Sequence, residues 1–404
     1  MLSALMAAFI SAAFALYPLV ARLPAAPVWV ALLFVLQETA RGLIPFNGFP
    51  WGRVAFGQVD GPFGRLASVG GAPLVTFAVV VTGFGLAAWL PRWREWRRAW
   101  ALVPVLAAVV ITVPVQAENG TKTVAVVQGN APDIGLGLLE AGAELRENHL
   151  RKTAELAARP GPKPDLVVWP ESATRTGDRD PVLDRMVDDL GVPVLVSALK
   201  DGQNAVIAWR PGTGSGELYA KQELVPFAEH IPLRPLARLV TPFADQQDLE
   251  AGSEPGVLNV ADTRVGLGIC YEVAYDYVLR ETVAEGAQLL VVPTNNAWYG
   301  RGEMTYQQLG MARLRAIEHG RAVVVAAISG VSAVVRPDGS VVQSTGMFTE
   351  DLMVGTVPLR SSLTIATRIG GPLHVVFTAA AFMACLVGLL RRREPKWVHL
   401  RNAE

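Results

Sequence analysis

The chain has 404 residues, of which 51% are apolar (AVILMFWYC) and only 18% are charged, and its 36 basic and 36 acidic residues cancel. That balance excludes an intrinsically disordered polymer and provides no basic excess for a phosphate backbone, so no nucleic-acid partner is expected. The two cysteines, Cys270 and Cys385, form no disulfide framework, and no Cys-x-x-Cys or His-rich spacing suggests a metal site.

Five apolar runs come first in the reading, because a membrane-spanning helix needs about 20 mostly apolar residues. They are Leu2–Val20, Pro27–Pro45 (interrupted by Glu38 and Arg41), Leu66–Leu90, Ala99–Val115 and Gly371–Leu390. Leu2–Val20 lacks the basic start of a signal peptide, and further runs follow it. Arg92, Arg94, Arg97 and Arg98 mark one loop as cytoplasmic, and Arg391, Arg392, Arg393 and Lys396 mark the C-terminus likewise. The alternation then sets the long stretch between the fourth and fifth runs outside the cytoplasm. It also sets the N-terminus outside, which leads us to expect one or more earlier spans that this sequence lacks.

From about Thr121 to Pro358 the pattern changes. Short β-branched runs occur at Thr123–Val127, Leu166–Trp169, Pro193–Val196, Ala205–Trp209, Val265–Ile269, Leu289–Val292, Ala322–Ala327 and Ala333–Val335, several apolar throughout, as for strands buried on both faces. Helical spacing is predicted for Ala141–Ala158, Asp184–Leu190, Tyr275–Glu285 and Met304–His319, with turns at Arg159–Pro164 and Pro211–Gly216. The alternation predicts an α/β domain. The expected organisation is a helical transmembrane region over 1–116, an extramembrane α/β domain over 121–360, a last span over 365–391 and a cytoplasmic tail over 392–404.

Three polar residues sit where α/β sheets place their sites, at the ends of apolar strands. Glu171 follows Leu166–Pro170, where burial is expected to raise its pKa and suit it as a general base. Lys221 lies in the segment Tyr219–His230; it can stabilise an oxyanion, and Glu229 can orient it. Cys270 ends Val265–Ile269 and opens a helix-like segment whose dipole is expected to favour thiolate. Each also has a plain reading: a turn acid, a surface lysine, a core cysteine. Cys385, inside the last run, reads as apolar filler.

Taken together, the order Glu, Lys, Cys at three strand ends resembles the nitrilase superfamily of carbon–nitrogen hydrolases. With apolar spans on both sides, it resembles the apolipoprotein N-acyltransferases. The matching motifs are Val168-Trp169-Pro170-Glu171, Tyr219-x-Lys221 with Leu224-Val225-Pro226-Phe227-x-Glu229, Cys270-Tyr271-Glu272 and Asn295-Asn296-Ala297-Trp298-Tyr299-Gly300. Glu38-x-x-Arg41-Gly42 and Gly48-Phe49-Pro50-Trp51 match in the membrane part. Ala228 stands where the family often has glycine, and the family has more N-terminal spans.

The resemblance implies a nitrilase-like α-β-β-α sandwich on a helical transmembrane bundle in a bacterial inner membrane, with the sandwich extracytoplasmic. It implies ping-pong acyl transfer from a phospholipid to a diacylglyceryl-cysteine lipoprotein, without a cofactor. Glu171 is then the base, Cys270 the nucleophile, and Lys221 the oxyanion donor with the Tyr271 amide; Glu229 and Glu272 support the network. Trp298 and Tyr299, together with Glu38 and Arg41, are substrate-binding candidates. Two other readings stay open on sequence: a membrane-tethered amidase, since water can replace the amine, and a non-catalytic scaffold for another membrane enzyme.

Overall fold

The structure is a computed structural model, and it describes residues 2–131, 142–239 and 242–392. Ala141 and the tail from Arg393, including Lys396, lie outside the described residues. The chain forms two compact units: residues Met1–Leu66, Gly70–Ile111 and Ile369–Glu404 belong to one, and Ala67–Val69 with Thr112–Arg368 to the other.

The first unit holds helices α1 (Leu2–Val20), α2 (Ala26–Arg41), α3 (Ala67–Trp89) and α4 (Val103–Val110). Among the described residues, three helical stretches are long and apolar enough to cross a membrane: Leu2–Val20, Gly64–Arg92 and Ile365–Arg391. This is fewer than the five apolar runs suggest. The second run closes at Arg41 after 16 helical residues, and the chain then turns through Gly42. The fourth run splits into a 3-10 turn (Trp96–Leu102) and the eight-residue α4, and it leaves helical geometry at Ile111. Within this unit Glu38 is buried; it accepts from the Val54 amide and the Thr76 hydroxyl, both at 2.8 Å. Arg41 is buried too.

The second unit is a four-layer sandwich. Its strands are β1 (Thr121–Gln128), β2 (Leu166–Val168), β3 (Thr174–Arg175), β4 (Val194–Lys200), β5 (Gln203–Arg210), β6 (Gly214–Ala220), β7 (Val257–Val260), β8 (Thr263–Leu267), β9 (Leu289–Thr294), β10 (Val323–Ala327), β11 (Ala333–Val335), β12 (Val341–Ser344) and β13 (Asp351–Pro358). One sheet runs β13-β1-β2-β4-β5-β6, with β3 beside β4; the other runs β12-β11-β10-β9-β8-β7. Helices α5 (Gly142–Ala158), α6 (Pro181–Leu190), the single turn α7 (Arg234–Ala237), α8 (Asp276–Ala284) and α9 (Met304–His319) complete the unit, and α10 (Ile365–Arg392) follows.

The apolar strands divide their side chains by period two. Val124, Val126, Leu166, Val168, Leu195 and Val206 meet Val265, Leu267, Leu289, Val291 and Val324 in the core between the sheets. Their neighbours Ala125, Val127, Val167, Trp169, Val194, Val196 and Ile207 face the other way, onto Leu156 of α5 and Leu183, Val187 and Leu190 of α6. Burying both faces is why these strands read as continuous apolar runs. On the second sheet α8 packs on β8. A Cβ at Gly268 would fall 2.8 Å from Leu279 Cδ2, so a larger residue there would force the Leu279 side chain to shift. Helix α6 starts at Asp180, whose carboxylate caps the Val182 and Leu183 amides and pairs with Arg146 at 2.6 Å.

Five strands lack a sequence signal, the two-residue β3 among them. Strand β6 begins inside the stretch read as the turn Pro211–Gly216. Strands β7, β12 and β13 were not foreseen, because β12 is exposed along its length and β7 and β13 mix buried with exposed positions.

His149 braces the strand that leads to Glu171. Its ring is buried, lies 5.3 Å from the Trp169 ring, accepts from the Gly129 amide at Nε2 and donates from Nδ1 to the Leu145 carbonyl. An N–H can only donate, so Nε2 is the acceptor and the ring is neutral. Burial lowers its pKa from 6.5 to about 4. The unfolded chain therefore takes up this proton before the fold does. The stabilisation is complete above pH 6.5 and drains away as the pH falls through about 4, by about 3 kcal/mol. Urea unfolding followed by tryptophan fluorescence should show this decline, and His149→Leu should flatten it.

Candidate active site

Three strand ends converge. Glu171 follows β2 after Trp169 and Pro170; Lys221 follows β6, its amide donating to the Asn204 carbonyl at 2.8 Å; Cys270 lies just beyond β8. All three are buried, at 4%, 1% and 7% exposure. Lys221 Nζ donates to Glu171 Oε1 at 2.9 Å and to Glu229 at 2.9 Å. Glu171 Oε2 accepts from the Asn295 amide at 2.8 Å, and the carboxylate and the Cys270 thiol influence each other's ionisation. The structure thus brings Glu171, Lys221, Glu229 and Cys270 into one cluster.

Glu272, fully buried, ties two segments together. Its carboxylate accepts from the amides of Ile269 (2.6 Å), Gln222 (2.7 Å) and Glu223 (3.1 Å) and from the Tyr219 hydroxyl (2.9 Å). The first amide precedes Cys270 and the next two follow Lys221. Tyr271 is buried, its ring edge-on to Tyr275 at 5.3 Å. Tyr299 sets its hydroxyl 3.9 Å from Cys270 Sγ, whereas Trp298 is half exposed. Glu38 and Arg41 belong to the helical unit described above. In the lysine loop the left-handed position falls on Phe227, with φ +65°, and not on Ala228.

Two electrostatic expectations are reversed. Burial alone would raise Glu171, but the Lys221 charge, the Lys221 hydrogen bond and the Asn204 amide more than offset it, and the carboxyl is held below its usual range. Burial and the Glu171 charge push the Cys270 thiol up to about 11 against the pull of Lys221. No long helix follows the cysteine. Cys270–Ala274 is a five-residue 3-10 turn with Cys270 at φ +54°, too short to present a helix dipole. Lys221 is held well above its usual value, burial being outweighed by Glu171 and Glu229. The resting state is therefore carboxylate, ammonium and thiol. Burial also raises Glu272, to about 7.

Asn204 escapes a reading by motif. It is the second residue of β5, 1% exposed, and its Nδ2 donates to both Glu171 and Glu229 at 2.8 Å. The signal was present as a polar residue directly before the apolar run Ala205–Trp209. Gln308 and Thr294 are also near the sulfur and carry no motif. Among the described residues, no group of three or more His, Cys, Asp or Glu side chains could hold a metal ion.

Lys221→Met leaves two buried carboxylates without their cation. It should cost about 3–5 kcal/mol of stability at neutral pH. Urea unfolding should show the loss shrinking as the pH falls and the carboxylates take up protons.

Residues 197–366 match the family profile for Carbon-nitrogen hydrolase, and residues 1–85 match that for the Apolipoprotein N-acyltransferase N-terminal domain. An apolipoprotein N-acyltransferase of Mycolicibacterium smegmatis is 34% identical over 431 residues, covering 95% of this chain and 72% of that protein. One of Shewanella oneidensis is 27% identical over 391 residues, covering 90% and 73%. An amidase from Nesterenkonia sp. aligns with a TM-score of 0.46 at 18% identity, covering 66% of this chain and 100% of that one. The first profile contains Lys221 and Cys270, the second contains Glu38 and Arg41, and the Mycolicibacterium relative spans nearly everything between. The chain belongs to the apolipoprotein N-acyltransferase family, within the carbon–nitrogen hydrolase superfamily.

Proposed function

We propose that this chain is an apolipoprotein N-acyltransferase: it moves a fatty acyl group from a phospholipid to the N-terminal amine of a diacylglyceryl-cysteine lipoprotein, through a thioester on Cys270. The observation that carries this reading is the buried ammonium of Lys221, hydrogen-bonded to Glu171 and Glu229, with the buried Cys270 thiol within the electrostatic reach of both Lys221 and Glu171. The relatives' name, apolipoprotein N-acyltransferase, supports acyl transfer to a lipoprotein nitrogen; the phospholipid donor is our inference.

With Cys270 protonated at rest, the thiol proton leaves as the ester carbonyl is attacked, and Glu171 receives it. The new S–C bond forms while the carbonyl π-electrons move to oxygen. Two of the three Lys221 ammonium hydrogens serve Glu171 and Glu229; the third is available to that oxyanion, with the Tyr271 amide beside it. Collapse breaks the ester C–O bond, and Glu171 returns the proton to the departing lysophospholipid oxygen. In the second half the lipoprotein amine attacks the thioester, Glu171 takes the amine proton, and sulfur leaves to be reprotonated. Glu229 and Asn204 hold Lys221 and Glu171 throughout, and Glu272 keeps the lysine loop against the cysteine turn. In this reading Trp298 and Tyr299, with Glu38 and Arg41 in the membrane part, contact the substrates. Burial of the cluster limits the access of water, which would otherwise compete with the amine.

The arginine-rich loop at 92–98 and the basic C-terminal end support a multi-pass protein of the bacterial inner membrane with its sandwich on the extracytoplasmic side. Intact-protein mass spectrometry after incubation with phospholipid vesicles should show one acyl group added, absent in Cys270→Ala. Cys270→Ser should retain less than about 1% of turnover, because a hydroxyl ionises far less readily than a thiol. Adduct formation by Cys270→Ala, or rapid hydrolysis with no transfer to an added lipopeptide amine, would overturn the proposal.

A further inference from the structure

A second set of buried polar side chains meets Cys270 and has no part in the scheme above. Gln308, on α9 and 2% exposed, directs Nε2 to Cys270 Sγ at 3.6 Å. Its Oε1 accepts from the Thr294 hydroxyl at 2.9 Å and from Asn296 Nδ2 at 2.8 Å. Asn296 Nδ2 is steadied in turn by Thr305 Oγ1 at 3.0 Å, which accepts the Val331 amide at 3.1 Å. With two donors on Oε1, the end of the amide presented to sulfur is the NH2 end. The spacing between helix and sulfur is also set. Arg315, two turns further along α9, is wholly buried and donates to the carbonyls of Val273 and Ala274, both at 2.9 Å, within the turn that Cys270 opens.

We propose that Gln308 is a further catalytic residue, whose amide donates to the Cys270 sulfur and stabilises it as it becomes a thiolate. An amide nitrogen cannot accept a hydrogen bond from the thiol, so the contact is N–H to sulfur in every state. It is weak while the sulfur is neutral and becomes charge-assisted once the proton has gone to Glu171. A contact that strengthens as charge develops lowers the barrier, whereas one equally strong in both states does not. The Thr294 hydroxyl donates to Gln308 Oε1, and with Asn296 it keeps the NH2 end of the amide turned to the sulfur. The charged and titratable groups around the sulfur are Glu171 after β2, Lys221 after β6, Tyr299 after β9, and Tyr271 and Glu272 of its own turn. Helix α9 adds the neutral donor Gln308.

This inference deepens the reading of Cys270 as the acylated thiol, and its test does not depend on phospholipid. The full chain in detergent is alkylated with iodoacetamide across a range of pH. The Cys270 peptide is quantified by mass spectrometry, separately from Cys385. Gln308→Met should slow Cys270 alkylation by about tenfold at neutral pH and move the midpoint of its pH profile up by about one unit. Gln308→Glu keeps an acceptor for Thr294 and Asn296 but turns a carboxylate oxygen toward the sulfur, so it should move the midpoint further. If one variant does not fold, the other carries the comparison. Wild-type midpoints in the folded variants, even with lowered melting temperatures, would reduce Gln308 to a packing residue and overturn the proposal. A parallel incubation with phospholipid vesicles separates the two readings. A shifted midpoint without an acyl adduct on the wild type supports Gln308 and sinks the acyl-transfer reading. An acyl adduct with unmoved midpoints sinks Gln308 alone.

Discussion

Lys221 Nζ lies 2.9 Å from Glu171 and 2.9 Å from Glu229 in the interior of the sandwich, where an ammonium group without counter-charges would be untenable. Two carboxylates around one cation leave the cluster with one excess negative charge. That excess accounts for the rest of the site. The Asn204 amide is shared between both carboxylates, and the neighbouring thiol keeps its proton because ionising it would add a second uncompensated charge. An isolated cysteine at a helix start would be primed for attack; this one is restrained until a carbonyl arrives to accept the charge. Restraint of this kind suits an enzyme that must not react before its lipid is in place.

The arrangement costs stability in its own right, since burying ions is expensive even when they are paired. The sandwich offsets that cost through strands buried on both faces. The core between the sheets and the layer under α5 and α6 draw on alternate residues of the same strands. The polar side chains emerge where the strands stop, so the cluster interrupts neither layer.

Much of this was legible because burial on both faces writes itself as unbroken apolar runs, and an acid, a base or a thiol at the end of such a run stands out. Glu171 and Cys270 could be picked out in this way. Strands β6, β7, β12 and β13 could not, because partly exposed edge and near-edge strands carry mixed side chains and take their form from a neighbour. Strand β13, for instance, pairs along its whole length with β1, more than two hundred residues earlier. The protonation states were also illegible. The direction for Glu171 depends on Lys221, fifty residues away in sequence, and that for Cys270 depends on both. Asn204 and Gln308 are ordinary polar residues by type, and only the packing of β5 and α9 gives them their partners. In the membrane part, apolarity alone overcounted. The run holding Glu38 and Arg41 and the run from Ala99 fold into helices shorter than a full crossing.

The Glu272 carboxylate has a consequence for how the protein can vary. By accepting amides from both sides of the site, it welds the lysine loop and the cysteine turn into a single mechanical piece. Sequence change that spares this weld is therefore confined to segments it does not reach, such as the exposed stretch around Leu233 and Leu236. Variation there can accumulate without loosening the cluster that the weld holds.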